Sequence, residues 1–148
     1  MPTSGDQGTS RAVLEKGRAL EASGGERCKA YLTADSVTSG YNKVPIIHDI
    51  SVQAGLGEIV LVMGPNGAGK STLVKTITGK LPLLGGGLLL AGQDISGLKE
   101  EARAAKGIGY VPQIGDVFPT LTVTENLEMG GYRMPQKTAR ARVEEIFE

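Results

Sequence analysis

Gly64-Pro65-Asn66-Gly67-Ala68-Gly69-Lys70-Ser71 fits G-x-x-x-x-G-K-S/T, with Thr72 following, and each fixed position has a chemical reason. Gly64, Gly67 and Gly69 let the chain take positive φ, so that backbone N–H groups converge on phosphate oxygens with no Cβ in the way. Pro65, Asn66 and Ala68 complete the wrap around the phosphates. Lys70 would place its ammonium between the β- and γ-phosphates, and the Ser71 hydroxyl would ligate an accompanying Mg²⁺. Thr72 offers a further hydroxyl near the α-phosphate. The stretch predicts a grip on a nucleotide.

Such a loop works only if it leaves a strand and enters a helix, whose N-terminal dipole adds to the anion site. Glu58 to Met63 is apolar without alternation and reads as a strand buried on both faces. After the loop, Leu73, Val74, Ile77 and Leu81 share one helical face, and Gly79 then Pro82 stop the helix. Upstream, short strands are expected over 31–38, 44–47 and 50–53, with a turn at Ser39-Gly40-Tyr41-Asn42 and Pro45 marking an edge position. Downstream come a strand over 88–91, a turn and short helix over 94–105, and a strand at Ile108-Gly109-Tyr110-Val111 cut off by Pro112. Thr122-Val123-Thr124-Glu125 has the form of a capping box opening a helix that ends at Gly130-Gly131. A last helix opens near Pro135 and carries Val143, Ile146 and Phe147. The fold class expected is α/β: a phosphate-loop core with an antiparallel β flap in front and the start of a helical subdomain. Residues 1–29 are expected to be a flexible tail, with a short helix possible over 12–22, and 30–148 the nucleotide-binding part.

Composition narrows the class. Sixteen basic and sixteen acidic residues in 148 cancel, so charge gives no case for nucleic acid. One cysteine, Cys28, allows no internal disulfide, and the polar N-terminus has no apolar leader. A cytoplasmic protein is expected. Nothing approaches the roughly eighteen consecutive apolar residues of a membrane span, so any membrane contact is expected to be indirect. His48 has no carboxylate or thiol neighbour in sequence and reads as structural or exposed rather than as a metal ligand. Lys43, Lys75 and Lys80 read as solvated charges.

Four pieces in this order, Tyr41, the loop Gly64 to Thr72, Tyr110-Val111-Pro112-Gln113 and Phe118-Pro119-Thr120-Leu121-Thr122-Val123-Thr124-Glu125-Asn126-Leu127, resemble the ATP-binding subunits of ABC transporters. Phe118 to Val123 and Asn126 to Gly130 look most like those serving branched-chain amino acid importers. The resemblance covers about residues 30–148. It implies that Tyr41 stacks on adenine, that Lys70 and Gln113 are catalytic, and that Gln113 joins Ser71 at Mg²⁺ while its loop faces the membrane partner. It further implies ATP and Mg²⁺ as cofactors, and as partners the transmembrane permease subunits and a second ATP-binding subunit. The location implied is the cytoplasmic face of the membrane.

This sequence departs from the family pattern in places. Leu56 stands where Pro usually precedes Gly-Glu, and Gly85-Gly86-Gly87 is expected to loosen the turn after the loop helix. The signature stretch, the strand ending in Asp-Glu and the switch His of the family do not occur within 148 residues. Ser23-Gly24-Gly25-Glu26-Arg27 resembles the signature core but lies on the wrong side of the loop and reads as linker. The chain by itself is therefore expected to bind ATP with little or no turnover. Two other readings stay open: a phosphate-loop kinase of a small acceptor, and a non-catalytic truncated product.

Overall fold

The computed structural model describes residues 10–15, 18–21 and 30–147, the first two segments as backbone only. The expectation of a flexible tail and the Ser23 to Arg27 stretch otherwise lie outside the described residues. Chain contacts divide the molecule into two units, Met1–Gly109 and Tyr110–Glu148.

In the first unit, β1 (Ser10–Glu15) and β2 (Arg18–Glu21) pair antiparallel, where the sequence suggested a short helix over 12–22. β3 (Ala30–Tyr41) and β4 (Val44–Gly55) follow, then β5 (Val60–Met63), α1 (Lys70–Thr78), β6 (Leu83–Leu90), β7 (Gln93–Asp94) and α2 (Glu100–Ala105). Two sheets result, ordered β2-β1-β5 and β4-β3-β6-β7. β1 runs parallel to β5, from Ser10 opposite Val60 to Val13 opposite Met63. The second sheet is antiparallel throughout, which is the expected flap, and β4 is at its edge, as Pro45 requires.

The flap strands are longer than the sequence suggested. Ser36 and Asp49 take φ of 51° and 52°, and register shifts near them absorb the irregular residues so that the ladder resumes beyond. The turn is Asn42-Lys43, both at positive φ (51° and 64°), as a two-residue hairpin requires. The expected turn over 39–42 is thus displaced, and Tyr41 closes the strand. Gly85-Gly86-Gly87 is also not a turn: all three lie inside β6. Gly86 sits at φ 82° where a Cβ would collide with the carbonyl oxygens of Asp35 and Ser36, so glycine is what lets β6 approach β3 at its bulge. At Leu56 the turn into β5 closes without proline, because the Glu58 carboxylate accepts the Gly55 N–H at 2.5 Å.

The core of this unit joins Ala34 and Val37 of β3, Ile47 and Ile50 of β4, Ala68, Leu73 of α1, Leu88 and Leu90 of β6, and Ile95. On α1 the buried residues are Thr72, Leu73, Thr76 and Thr78, whereas Val74 is 37% exposed. Of the expected face Leu73-Val74-Ile77-Leu81, Leu73 is in the core and Ile77 packs against it, while Val74 turns outward. Its helix end is as expected: Gly79 takes φ 87° and its N–H returns to the Thr76 carbonyl. β5 is covered on one face only, since Val62 packs on the core while Ile59 and Leu61 are 68% and 50% exposed. The expectation of burial on both faces fails because only one side of the strand meets a packed layer.

No strand forms at Ile108 to Val111. An extended run becomes a strand only where it aligns with a neighbouring strand; among the described residues no strand pairs with this run, the Ile108 N–H donates instead to the Arg103 carbonyl at 3.2 Å, and Val111 is 81% exposed. The second unit holds α3 (Val123–Gly130) and α4 (Gln136–Phe147). α4 buries Ala139 and Val143, while Ile146 and Phe147 remain exposed. The two helices border a cleft of about 410 Å³ lined by Leu121, Met129, Tyr132 and Met134 among others. Among the described residues no helix is long and apolar enough to cross a membrane.

Candidate functional site

The loop between β5 and α1 has the backbone that its sequence asks for. Gly67 and Gly69 take φ of 82° and 92°, values that side-chain-bearing residues rarely adopt. Gly69 is also the N-cap of α1, and a Cβ there would run into Cγ2 of Ile47. The end of the loop is thus seated directly on β4. Ala68 is buried in the core, its N–H donating to the Pro65 carbonyl at 3.3 Å, and the Leu73 N–H to the Gly69 carbonyl at 2.9 Å begins the helical ladder.

Lys70 folds back over the loop. Its Nζ donates to the carbonyl oxygens of Gly64 and Pro65, both at 2.7 Å. The ammonium is held at the mouth of the loop by groups that phosphate oxygens can replace at little cost, because a charge-assisted bond to phosphate is the stronger one. Ser71 is exposed beside it, whereas Thr72 is 5% exposed and buried toward the core. Asn66 and Gly67 are exposed, and Gly64 and Pro65 lie between β5 and these residues. The arrangement offers backbone amides, a helix N-terminus, one ammonium and one hydroxyl on the same side, which is an anion site suited to phosphates. No cluster of His, Cys, Asp or Glu capable of holding a metal occurs among the described residues. A divalent cation fits here through Ser71 and the oxygens of a bound phosphate chain rather than through a carboxylate cage.

Tyr41 meets α1 from the flap. It ends β3 at 45% exposure, and the Lys75 ammonium of α1 stands 6.0 Å from its ring centroid. Lys75 is therefore not the merely solvated charge expected from its isolation in sequence. His48 is exposed on β4, as expected. Gln113 belongs to the second unit, where it is exposed just beyond Pro112.

A polar system under the site escaped sequence reasoning. The Thr76 hydroxyl of α1 donates to the Ser39 hydroxyl of β3 at 2.6 Å, and Ser39 donates to the Pro82 carbonyl at 2.8 Å. Arg103, 2% exposed, gives its guanidinium to four carbonyls: Thr76 (2.6 Å), Ile77, Leu98 and Ser96 (each 2.9 Å). Burial pushes its pKa down. Arg103 thus satisfies carbonyls at the C-terminal end of the helix whose N-terminus lies in the anion site. Nothing in the sequence marked it, because a lone arginine in a short polar helix looks solvated.

In the second unit the expected capping box is present. The Thr122 N–H donates to the Glu125 carboxylate at 2.7 Å, and the Glu125 N–H donates to the Thr122 hydroxyl at 3.3 Å. The bond from the Thr122 amide, and then that from its hydroxyl, hold the Glu125 pKa below the ordinary glutamate range. Asn126 ties down the preceding loop: its Nδ2 donates to the carbonyls of Phe118, Leu121 and Thr122, and its Oδ1 accepts the Phe118 N–H at 2.7 Å.

Comparison with known proteins agrees with this geometry. The family described as "ABC transporter" matches residues 47–148. The high-affinity branched-chain amino acid transport ATP-binding protein BraG of Pseudomonas aeruginosa is 38% identical over 117 residues, covering 79% of this chain and 50% of that protein. The lipopolysaccharide export system ATP-binding protein LptB of Escherichia coli K12 is 41% identical over 98 residues, covering 66% and 41%. Among solved structures, the ADP conformation of an ATP-binding cassette of an ABC transporter superposes with a TM-score of 0.60 at 28% identity, covering 72% of this chain and 42% of that one. The chain spans about half the length of the curated relatives it matches. The phosphate loop, the flap in front of it and a match running from Ile47 to Glu148 place this chain in the ABC transporter family of ATP-binding proteins.

Proposed function

We propose that this chain is part of the ATP-binding subunit of an ABC importer, coupling ATP binding and hydrolysis to uptake of a solute, with branched-chain amino acids as the solute class. The observation that carries the nucleotide reading is the pairing of the Lys70 ammonium with the mouth of a positive-φ loop at the head of α1. The solute class is supported by the likeness to BraG over 79% of the chain. LptB, which is similarly identical over a shorter span, supports an export reading instead.

In this reading the amides of Gly64 to Gly69 and the start of α1 bind the phosphates, Lys70 neutralises the β- and γ-phosphates, and Tyr41 stacks on the base. Thr72 completes the loop from its buried side. Mg²⁺ would be held by Ser71 and the oxygens of the bound phosphates, where it would offset their charge. The second ATP-binding subunit faces the loop, and the permease meets the second unit, whose exposed Met129, Tyr132 and Met134 around the cleft offer it an apolar contact. The protein works at the cytoplasmic face of the membrane. No carboxylate in these residues is assigned to polarise water, so the chain by itself binds ATP with little turnover.

Calorimetric titration with Mg-ATP tests the core of this. The full chain is expected to bind, and Lys70→Ala to weaken binding about tenfold to a hundredfold, the worth of a charge-assisted contact. Ordinary steady-state hydrolysis by this chain, abolished in Lys70→Ala, would overturn the assignment of low turnover. A solute-uptake assay after deletion of the coding gene separates import of branched-chain amino acids from export.

A further inference from the structure

The Lys75–Tyr41 contact lies outside the phosphate loop, and it connects the two ends of the proposed nucleotide site. Lys75 is half-buried in the second turn of α1, five residues after Lys70, which puts its Cα roughly 7–8 Å farther along the helix axis. That offset separates a cation serving the base from one serving the phosphates. The ammonium stands 6.0 Å from the centre of the Tyr41 ring, at the outer limit where a cation is still drawn to a ring face. The neighbouring residues fix this relation. Thr76, adjacent to Lys75, is hydrogen-bonded to Ser39, two residues before Tyr41, and both are 0% exposed. Arg103 holds the Thr76 carbonyl from the other side. The ring and the ammonium therefore belong to one buried frame, although both are reached by solvent.

We propose that Lys75 is a positioning residue for the nucleotide base, its ammonium holding one face of Tyr41 so that the other face is presented to the base. This deepens the reading of Tyr41 as the stacking residue and rests on it. A cation on one face fixes the tilt of an exposed ring that otherwise rotates about χ1 and χ2, so less ordering remains to be done when a base stacks. The contact acts on the base alone. The triphosphate is bound by Lys70 and the loop amides, so ligands that lack a base do not sense Lys75.

The test compares Mg-ATP with magnesium tripolyphosphate, which carries the phosphates without base or ribose, by calorimetry on the full chain. Lys75→Met is expected to weaken ATP binding about twofold to fivefold, the effect of an exposed cation–π contact. It should leave tripolyphosphate binding unchanged, which also reports that the fold is intact. Lys75→Arg should restore ATP binding, and in a Tyr41→Leu background Lys75→Met should have no further effect. Equal losses for both ligands would show a general charge effect and overturn the proposal, and so would tighter ATP binding by Lys75→Met, which would mean that the ammonium occupies the face the base needs. Tyr41→Leu with an unaltered preference for ATP over tripolyphosphate would sink the stacking reading first. Failure of the full chain to bind either ligand would sink the nucleotide reading beneath both.

Discussion

Ile47 and Gly69 show how narrowly one contact defines the phosphate loop. The glycine is needed twice, for a φ of 92° and for the space that the Ile47 Cγ2 takes. Gly69→Ala is therefore expected to lower thermal stability by about 1–3 kcal/mol and to weaken ATP binding. Ile47→Ala in the same chain removes the collision but not the unfavourable φ. It should recover part of the nucleotide affinity, measurable by titration, while adding its own cavity cost. The loop residues were legible from sequence because their chemistry demands fixed types at fixed spacing. Ser39, Thr76 and Arg103 were not. Apolar periodicity reports burial of apolar residues, and a buried hydroxyl or guanidinium satisfied by distant carbonyls has the same local sequence as a solvated one.

At the scale of elements, Arg103 ties α2 to the end of α1 and to the turn after β7 through four carbonyls. Arg103→Ala strips a donor from each of these carbonyls, leaving Thr76 with only the Gly79 N–H, and is expected to cost the first unit about 3 kcal/mol, measured by denaturant unfolding. Arg103→Lys should recover little, since a point ammonium cannot span the four acceptors. On α3 the prediction concerns pH. Bonding to Thr122 depresses the folded-state pKa of Glu125 below its unfolded value, so the capping box stabilises the helix above that unfolded value. Its contribution is lost as pH falls through the depressed value, below the ordinary glutamate range. Amide exchange over 123–126 should rise in that acidic window, and Thr122→Val should remove the pH step. α1, α3 and the flap were legible from caps, periodicity and turn residues. The strand expected at 108–111 and the turn expected at 85–87 failed for one reason: both depend on a neighbouring strand, present for Gly86 at the β3 bulge and, among the described residues, missing for Ile108 to Val111.

For the molecule as a whole, the informative surface is the β5 end of the first sheet. β5 pairs with β1 and with no other strand among the described residues, and Leu61 within it and Ile59 just before it are 50% and 68% exposed. An uncharged, apolar strand with one free edge is a template for pairing with another chain. Sedimentation is expected to show concentration-dependent self-association of the chain. Leu61→Lys should reduce it, since a charge on the exposed face opposes stacking, and a monomer at all concentrations would contradict this account.

On the proposed reading, the seating of the loop on Ile47 would make the nucleotide a folding ligand. Phosphate bound at Gly67 to Lys70 would stabilise the loop, and through the loop end β4, which is the edge of the sheet that carries most of the core. A ligand held only by the folded state raises stability by RT ln(1 + [L]/Kd), about 2.7 kcal/mol at a hundredfold excess over Kd. Cellular ATP would then act on this chain as a protectant, setting how long it survives proteases as well as what it can do. Limited proteolysis with and without Mg-ATP should show slower cleavage within residues 44–55, and the protection should vanish in Lys70→Ala.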